Sequence, residues 1–169
     1  MKMKALIGCN LVFFLGIFFA HAQTDSRNSG GMLIPEQAAY DVTYYELTLN
    51  VNPKDSSIRG NLILHADVLA PLNELVVDLD MKMRVGMVRE INEGKVDTLK
   101  SKHEDGKLKI SFLERKQFGE SFSVRIDYGG KPLAAQIIPG SWSDGFHWTQ
   151  TENGDPWIGV VSVLNGADT

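Results

Sequence analysis

Apolar residues recur at every second position through most of this chain, and a period of two is the signature of strands rather than helices. Tyr45, Leu47, Leu49 and Val51 point one way while Glu46, Thr48 and Asn50 point the other, which predicts a half-buried strand. Asn52-Pro53-Lys54-Asp55-Ser56-Ser57 then supplies a turn, because proline fixes its backbone angle and the short polar side chains bond to nearby backbone. Ile58, Gly60, Leu62, Leu64, Ala66 and Val68 alternate against Arg59, Asn61, His65 and Asp67 in a long second strand. Further strands are expected at 74–79, 85–91 and 96–99.

Asp105-Gly106 is a strong tight-turn signal, since both residues tolerate positive backbone angles, and Leu108, Ile110 and Phe112 continue beyond it with period two. Phe122, Val124, Ile126 and Tyr128 repeat the pattern. No segment of useful length shows an apolar period of 3.6. Short strands joined by turn residues predict an all-β fold, an antiparallel sandwich or saddle of sheets. Residues 129–132 end the last clear strand, and 133–144 read as a loop rich in Pro, Gly and Ser.

The start of the chain departs from this pattern. Lys2 and Lys4 precede an apolar run to Ala20, and Ala20-His21-Ala22 offers a small-x-small cleavage site. Residues 1–22 are thus expected to be a secretory signal peptide, too short in its apolar part for an uncleaved anchor. Residues 23–39 follow as a mobile segment, and 40–169 as one domain. The expected location is periplasmic or extracellular, with no membrane contact after cleavage. Removing Lys2 and Lys4 makes the formal charge of −4 more negative, and no basic stripe offers itself to nucleic acid. Cys9, the only cysteine, leaves with the signal, which removes disulfides and thiol nucleophiles from consideration.

Candidate chemistry is sparse. His65, His103 and His147 are far apart and show no metal-ligand spacing, so no metal site and no catalytic residue is expected. His65 is placed on the polar face of a strand and His103 at the start of a turn. Gly140-Ser141-Trp142-Ser143-Asp144-Gly145 has the wrong spacing for a nucleophile elbow. Asp78 and Asp80 could share one face of a strand, but on one strand they read as a solvated edge. The remaining feature is the aromatic cluster Trp142, Phe146, Trp148 and Trp157, with His147 among them. Such residues serve either as a stacking platform or as core and interface; core and interface is the expectation.

Taken in order, Tyr40-Asp41-Val42-x-x-Tyr45, Ile58-Arg59-Gly60, Leu75-Val76-Val77-Asp78-Leu79, Phe118-Gly119-Glu120, Tyr128-Gly129-Gly130, Gly145-Phe146-His147-Trp148 and Pro156-Trp157-Ile158-Gly159 resemble the N-terminal β domain of the zinc aminopeptidase N family. The resemblance implies a saddle-like domain that packs on a thermolysin-like catalytic domain. That catalytic domain would be the partner, and it would carry the zinc, held by two histidines and a glutamate. Neither H-E-x-x-H nor G-x-M-E-N occurs in this sequence, so no cofactor is expected in this chain, which reads as a truncated or fragmentary, non-catalytic form. The family's G-V-x-C-Q-G-x-G-A places its substrate-binding glutamine on Val163, whose side chain accepts no hydrogen bond. The alternative is a free-standing periplasmic module that binds peptide, glycan or a protein partner.

Overall fold

The computed structural model describes residues 33–92, 94–135 and 145–161. The expected signal peptide, Trp142, the Ser141 turn and Val163 lie outside the described residues. Ten strands are present among those described: β1 (Tyr40–Asn52), β2 (Ser57–Val68), β3 (Leu72–Asp78), β4 (Met83–Asn92), β5 (Lys95–Thr98), β6 (Lys100–Glu104), β7 (Lys107–Lys116), β8 (Ser121–Gly130), β9 (Gly145–Gln150) and β10 (Pro156–Val161). The expected all-β antiparallel architecture is what the chain adopts.

Three sheets form. The largest has the order β1-β2-β8-β4-β5, the second β3-β7-β6, and β9 pairs with β10. All strand pairs within them are antiparallel. Asp105 and Gly106 take φ of 50° and 72°, the positive angles expected of the turn that joins β6 to β7.

The core lies between the first two sheets. Leu64, Ala66 and Val68 of β2 and Phe122, Val124 and Ile126 of β8 pack with Leu75 of β3 and Leu108, Ile110 and Phe112 of β7. Alternation along each strand turns these residues inward and their polar neighbours outward. Phe112 and Phe122 meet edge to face with centroids 5.0 Å apart, a favoured aromatic geometry.

Polar contacts tie the same two sheets together. The Tyr40 hydroxyl of β1 donates to the Val76 carbonyl of β3 at 2.7 Å. Lys116 Nζ of β7 sits 2.5 Å from Glu90 Oε1 of β4, off the line a hydrogen bond would take, and 5.3 Å from the Phe112 ring centroid. Glu90 is only 3% exposed, so removing Lys116 would leave a carboxylate uncompensated in the interior.

The structure corrects the expected burial of β1. Its apolar row has the expected face but no cover: Tyr45 is 55% exposed, Leu47 59%, Leu49 39% and Val51 38%. An irregularity between Val42 and Tyr44 shifts the register against β2, so Tyr40 and Val42 face the core before it and the odd-numbered residues share that face after it. The second sheet covers only the first part, where Tyr40 and Val42 pack against the core.

Two further differences concern segments the alternation does not mark. Residues 100–104 form β6, so His103 belongs to a strand and not to a turn, and its Nε2 lies 3.0 Å from the Leu79 carbonyl. Residues 33–39, counted in the sequence with the mobile segment, form a turn in which Gln37 and Ala38 amides donate to the Ile34 carbonyl. Ala39 is buried, and its carbonyl accepts from Leu69 and Ala70.

Gly60 shows why glycine follows Ile58-Arg59. A Cβ added there would stand 1.9 Å from the Thr48 carbonyl oxygen of β1, a contact that only a backbone shift relieves. Gly60→Ala is expected to lower stability by ~1–3 kcal/mol, the usual cost of overpacking, and the shift of the urea midpoint measures it.

Tyr40 generates a pH dependence. Burial first, then the neighbouring Tyr45 and Asp78, pushes its phenol up to about 12 from the ordinary 10.0. The unfolded chain therefore ionises first, and the stability gained from neutral Tyr40 is whole below pH 10 and drains away as pH rises toward 12. Urea midpoints measured across that interval are expected to fall more steeply for the native chain than for Tyr40→Phe. The variant should start lower by about 1 kcal/mol, having left the Val76 carbonyl without its donor.

Candidate functional site

The aromatic cluster is where the sequence concentrates unusual side chains, and the structure turns part of it into a hairpin. Gly145–Gln150 and Pro156–Val161 pair antiparallel, with Phe146 opposite Val160, Trp148 opposite Ile158 and Trp157 opposite Thr149. The connecting turn is built by Thr151, whose carbonyl accepts from Gly154 at 2.9 Å and whose hydroxyl accepts from the Asp155 amide at 3.1 Å. Gly154 supplies the positive φ of 84°. Asn153-Gly154 between alternating segments was the signal for this hairpin, obscured by reading the aromatics as a cluster rather than by their spacing.

The two faces of the hairpin differ. Phe146, Trp148, Ile158 and Val160 share one, and Phe146 and Trp148 stack there with centroids 5.6 Å apart and planes inclined by 16°. Trp157 lies on the other and folds along its own strand: a Cβ on Gly159 would come within 2.7 Å of the indole ring. None of the described aromatics of this stretch joins the main core. Phe146, His147 and Trp148 are half-buried, and Trp157 is 52% exposed. The expectation of domain core is corrected for these residues, because β9 and β10 form a sheet separate from the two that enclose the core.

The hairpin is joined to the preceding chain through residues 133–135. The Ala135 amide donates to the Phe146 carbonyl at 2.9 Å, and the Phe146 amide donates to the Leu133 carbonyl at 3.3 Å. The Leu133 amide in turn donates to Asp80 Oδ2 at 2.7 Å. Asp80 also caps the turn after β3 by accepting from the Lys82 amide at 2.8 Å. Asp78 accepts from Gln37 and pairs with Lys107. The two carboxylates thus serve separate structural partners, and Asp80 is a half-buried anchor instead of a solvated edge.

A cleft of about 550 Å³ opens between this hairpin and the β1–β2 turn. Pro53, Lys54 and Ser56 line one side, and Trp148, Thr149, Gln150, Pro156, Trp157 and Ile158 the other. Trp148 Nε1 is enclosed without a hydrogen-bond partner among the described residues, although a buried indole N–H ordinarily finds one. The lining offers indole surface, the hydroxyls of Ser56 and Thr149, an amide and one ammonium group. It contains no carboxylate, imidazole or thiol, so it can bind but carries no general base.

The histidines are dispersed. His65 Nδ1 lies 2.7 Å from Ser123 Oγ and its Nε2 3.0 Å from Glu46 Oε1, across β1, β2 and β8. Serine, histidine and carboxylate in a row resemble a hydrolytic relay, but the row lies on the outer polar face of the large sheet. Neighbouring Asp127 bridges Arg89 and Arg125 on β4 and β8. Among the described residues no three His, Cys, Asp or Glu side chains converge to hold a metal ion. These residues therefore do not fit a zinc centre. No helix among them is long and apolar enough to cross a membrane.

This arrangement of sheets matches solved structures. An M1 zinc metallopeptidase from Deinococcus radiodurans aligns with a TM-score of 0.52 at 22% identity, over 69% of this chain and 27% of its own. A mutant of that organism's enzyme, solved with a Tyr-Ser-Ala substrate, gives 0.54 at 20% identity over 70% and 28%. Native yeast LTA4 hydrolase gives 0.51 at 19% identity over 72% and 18%. The chain has the M1 N-terminal β-domain fold. This M1-type β domain spans little more than a quarter of the length of the Deinococcus enzymes. No family model and no curated protein matches the sequence.

Proposed function

We propose that this chain is the non-catalytic N-terminal β domain of an exported zinc aminopeptidase, acting as a support for a catalytic domain. The observation that carries this reading is the M1-type fold over about 70% of the chain. The order of motifs from Tyr40 to Gly159 agrees with it. The Deinococcus enzyme solved with Tyr-Ser-Ala suggests short peptides as the substrates of such an assembly. Phe146, Trp148 and Trp157, outside the main core and partly open, are suited to line a contact with the catalytic domain. The zinc would belong to that partner, because the described residues offer no converging ligands. The N-terminal pattern of Lys2, Lys4, an apolar run and Ala20-His21-Ala22 supports export.

The coding sequence read onward past Thr169, in frame or after a single frameshift, is expected to encode H-E-x-x-H. The purified chain is expected to release no amino-terminal chromogenic group with or without added zinc. Release by the chain alone, or an unrelated gene directly downstream with no catalytic domain captured, overturns this reading.

A second reading, a free-standing module that binds a small ligand, is favoured by the cleft and by the unpartnered Trp148 Nε1. A ligand with a carbonyl or hydroxyl acceptor would satisfy that indole. Indole fluorescence titrated with panels of peptides and glycans is expected to saturate for a true ligand, and Pro53→Ala with Lys54→Ala is expected to weaken the response. Silence across the panels with a folded protein counts against this reading.

A further inference from the structure

The open edge of β1 is a long unpaired strand edge in the described structure. It ends the large sheet, and β2 is its sole ladder partner among the described residues. From Thr43 onward β1 is exposed on both faces. Strand edges of this kind present free amides and carbonyls, and natural proteins usually blunt them with Pro, Lys or inward charges. Residues 43–52 contain none of these, and Glu46, the single charged side chain in that span, lies outside the apolar row.

We propose that this edge pairs with the same edge of a second copy, in an antiparallel dimer whose two-fold axis passes beside Thr48. The register follows from the sequence. The row Tyr45, Leu47, Leu49, Val51 is centred on Thr48, so an axis there sets Leu47 against Leu49 and Tyr45 against Val51 of the second copy. Every apolar member then meets another, whereas moving the axis to Leu47 would set Val51 against Thr43. On the opposite face Glu46 meets Asn50, so no like charges oppose each other.

Backbone direction agrees. The Thr48 carbonyl is directed toward β2, close to Gly60. Ladder alternation then turns the amides and carbonyls of Leu47 and Leu49 to the open edge, where each pair across the axis exchanges two hydrogen bonds. An interface of this kind is isologous and closes, giving a dimer and not a fibre. A single strand edge is a small contact beside the roughly 1,000 Å² of a lasting interface, so a weak, concentration-dependent dimer is expected. The inference does not rest on the aminopeptidase reading.

Sedimentation velocity of the purified chain over rising concentration, paired with hydrogen exchange, tests it. A monomer–dimer equilibrium is expected, with the Leu47 and Leu49 amides slowing as concentration rises. Leu47→Lys with Leu49→Lys sets like charges across the axis and is expected to give a monomer. Leu47→Lys with Leu49→Glu sets opposite charges there and is expected to restore the dimer. Circular dichroism confirms that the variants are folded. A native chain that stays monomeric throughout, a dimer indifferent to the charge pattern, or protection of the β1 edge only when a peptide or catalytic domain is added overturns the proposal.

Discussion

Everything else in this protein depends on the contact between the β2–β8 face of the large sheet and the β3–β7 face of the small one. The rows centred on Leu64 and Val124, and on Leu75 and Ile110, are essentially removed from water. Burial of such side chains is worth about 1.5–3 kcal/mol each before entropy is counted. No disulfide contributes among the described residues, so packing has to hold the sheets together. Tyr40 to Val76 and Lys116 to Glu90 add directional ties across the same gap, fixing which part of the large sheet the small one covers.

The unequal size of the two sheets has a direct consequence. Five strands stand against three, and β1 runs beyond the cover from Thr43 onward. At the covered end the apolar row of β1 is core; at the other end the same alternation becomes surface. A sheet with its polar face bridged by Arg89, Asp127 and Arg125 is satisfied on one side. On the other side the row from Tyr45 to Val51 retains unburied apolar surface, whose removal from water is favourable in any association that reaches it.

Much of this was legible in the sequence, and the failures have physical causes. Period-two alternation marked β1, β2, β7 and β8 because each carries an apolar row of at least three residues. Asp105-Gly106 marked its turn because few other pairs take those angles. Strand β6 escaped because Lys100-Ser101-Lys102-His103-Glu104 has no apolar row; it is a strand through pairing with β7, a tertiary cause that propensity does not carry. The β1 row was assigned to the correct face but wrongly to the interior. Alternation states which side chains point together and is silent on whether a second layer reaches them.

The candidate site divides along the same line. The carboxylates and the histidine singled out in the sequence hold structural contacts. Asp80 holds the Leu133 amide, Asp78 pairs with Lys107, and His65 bridges Ser123 and Glu46. The cleft arises only because the β9–β10 hairpin comes near Pro53 and Lys54, about a hundred residues earlier in the chain, and no local pattern encodes such a meeting. A hairpin fastened through Leu133 to Asp80, rather than by the core, can carry Trp148 and Trp157 at the margin without compromising the sandwich. That separation of a packed scaffold from an aromatic margin lets the margin change its contacts without disturbing the buried rows that hold the sheets together.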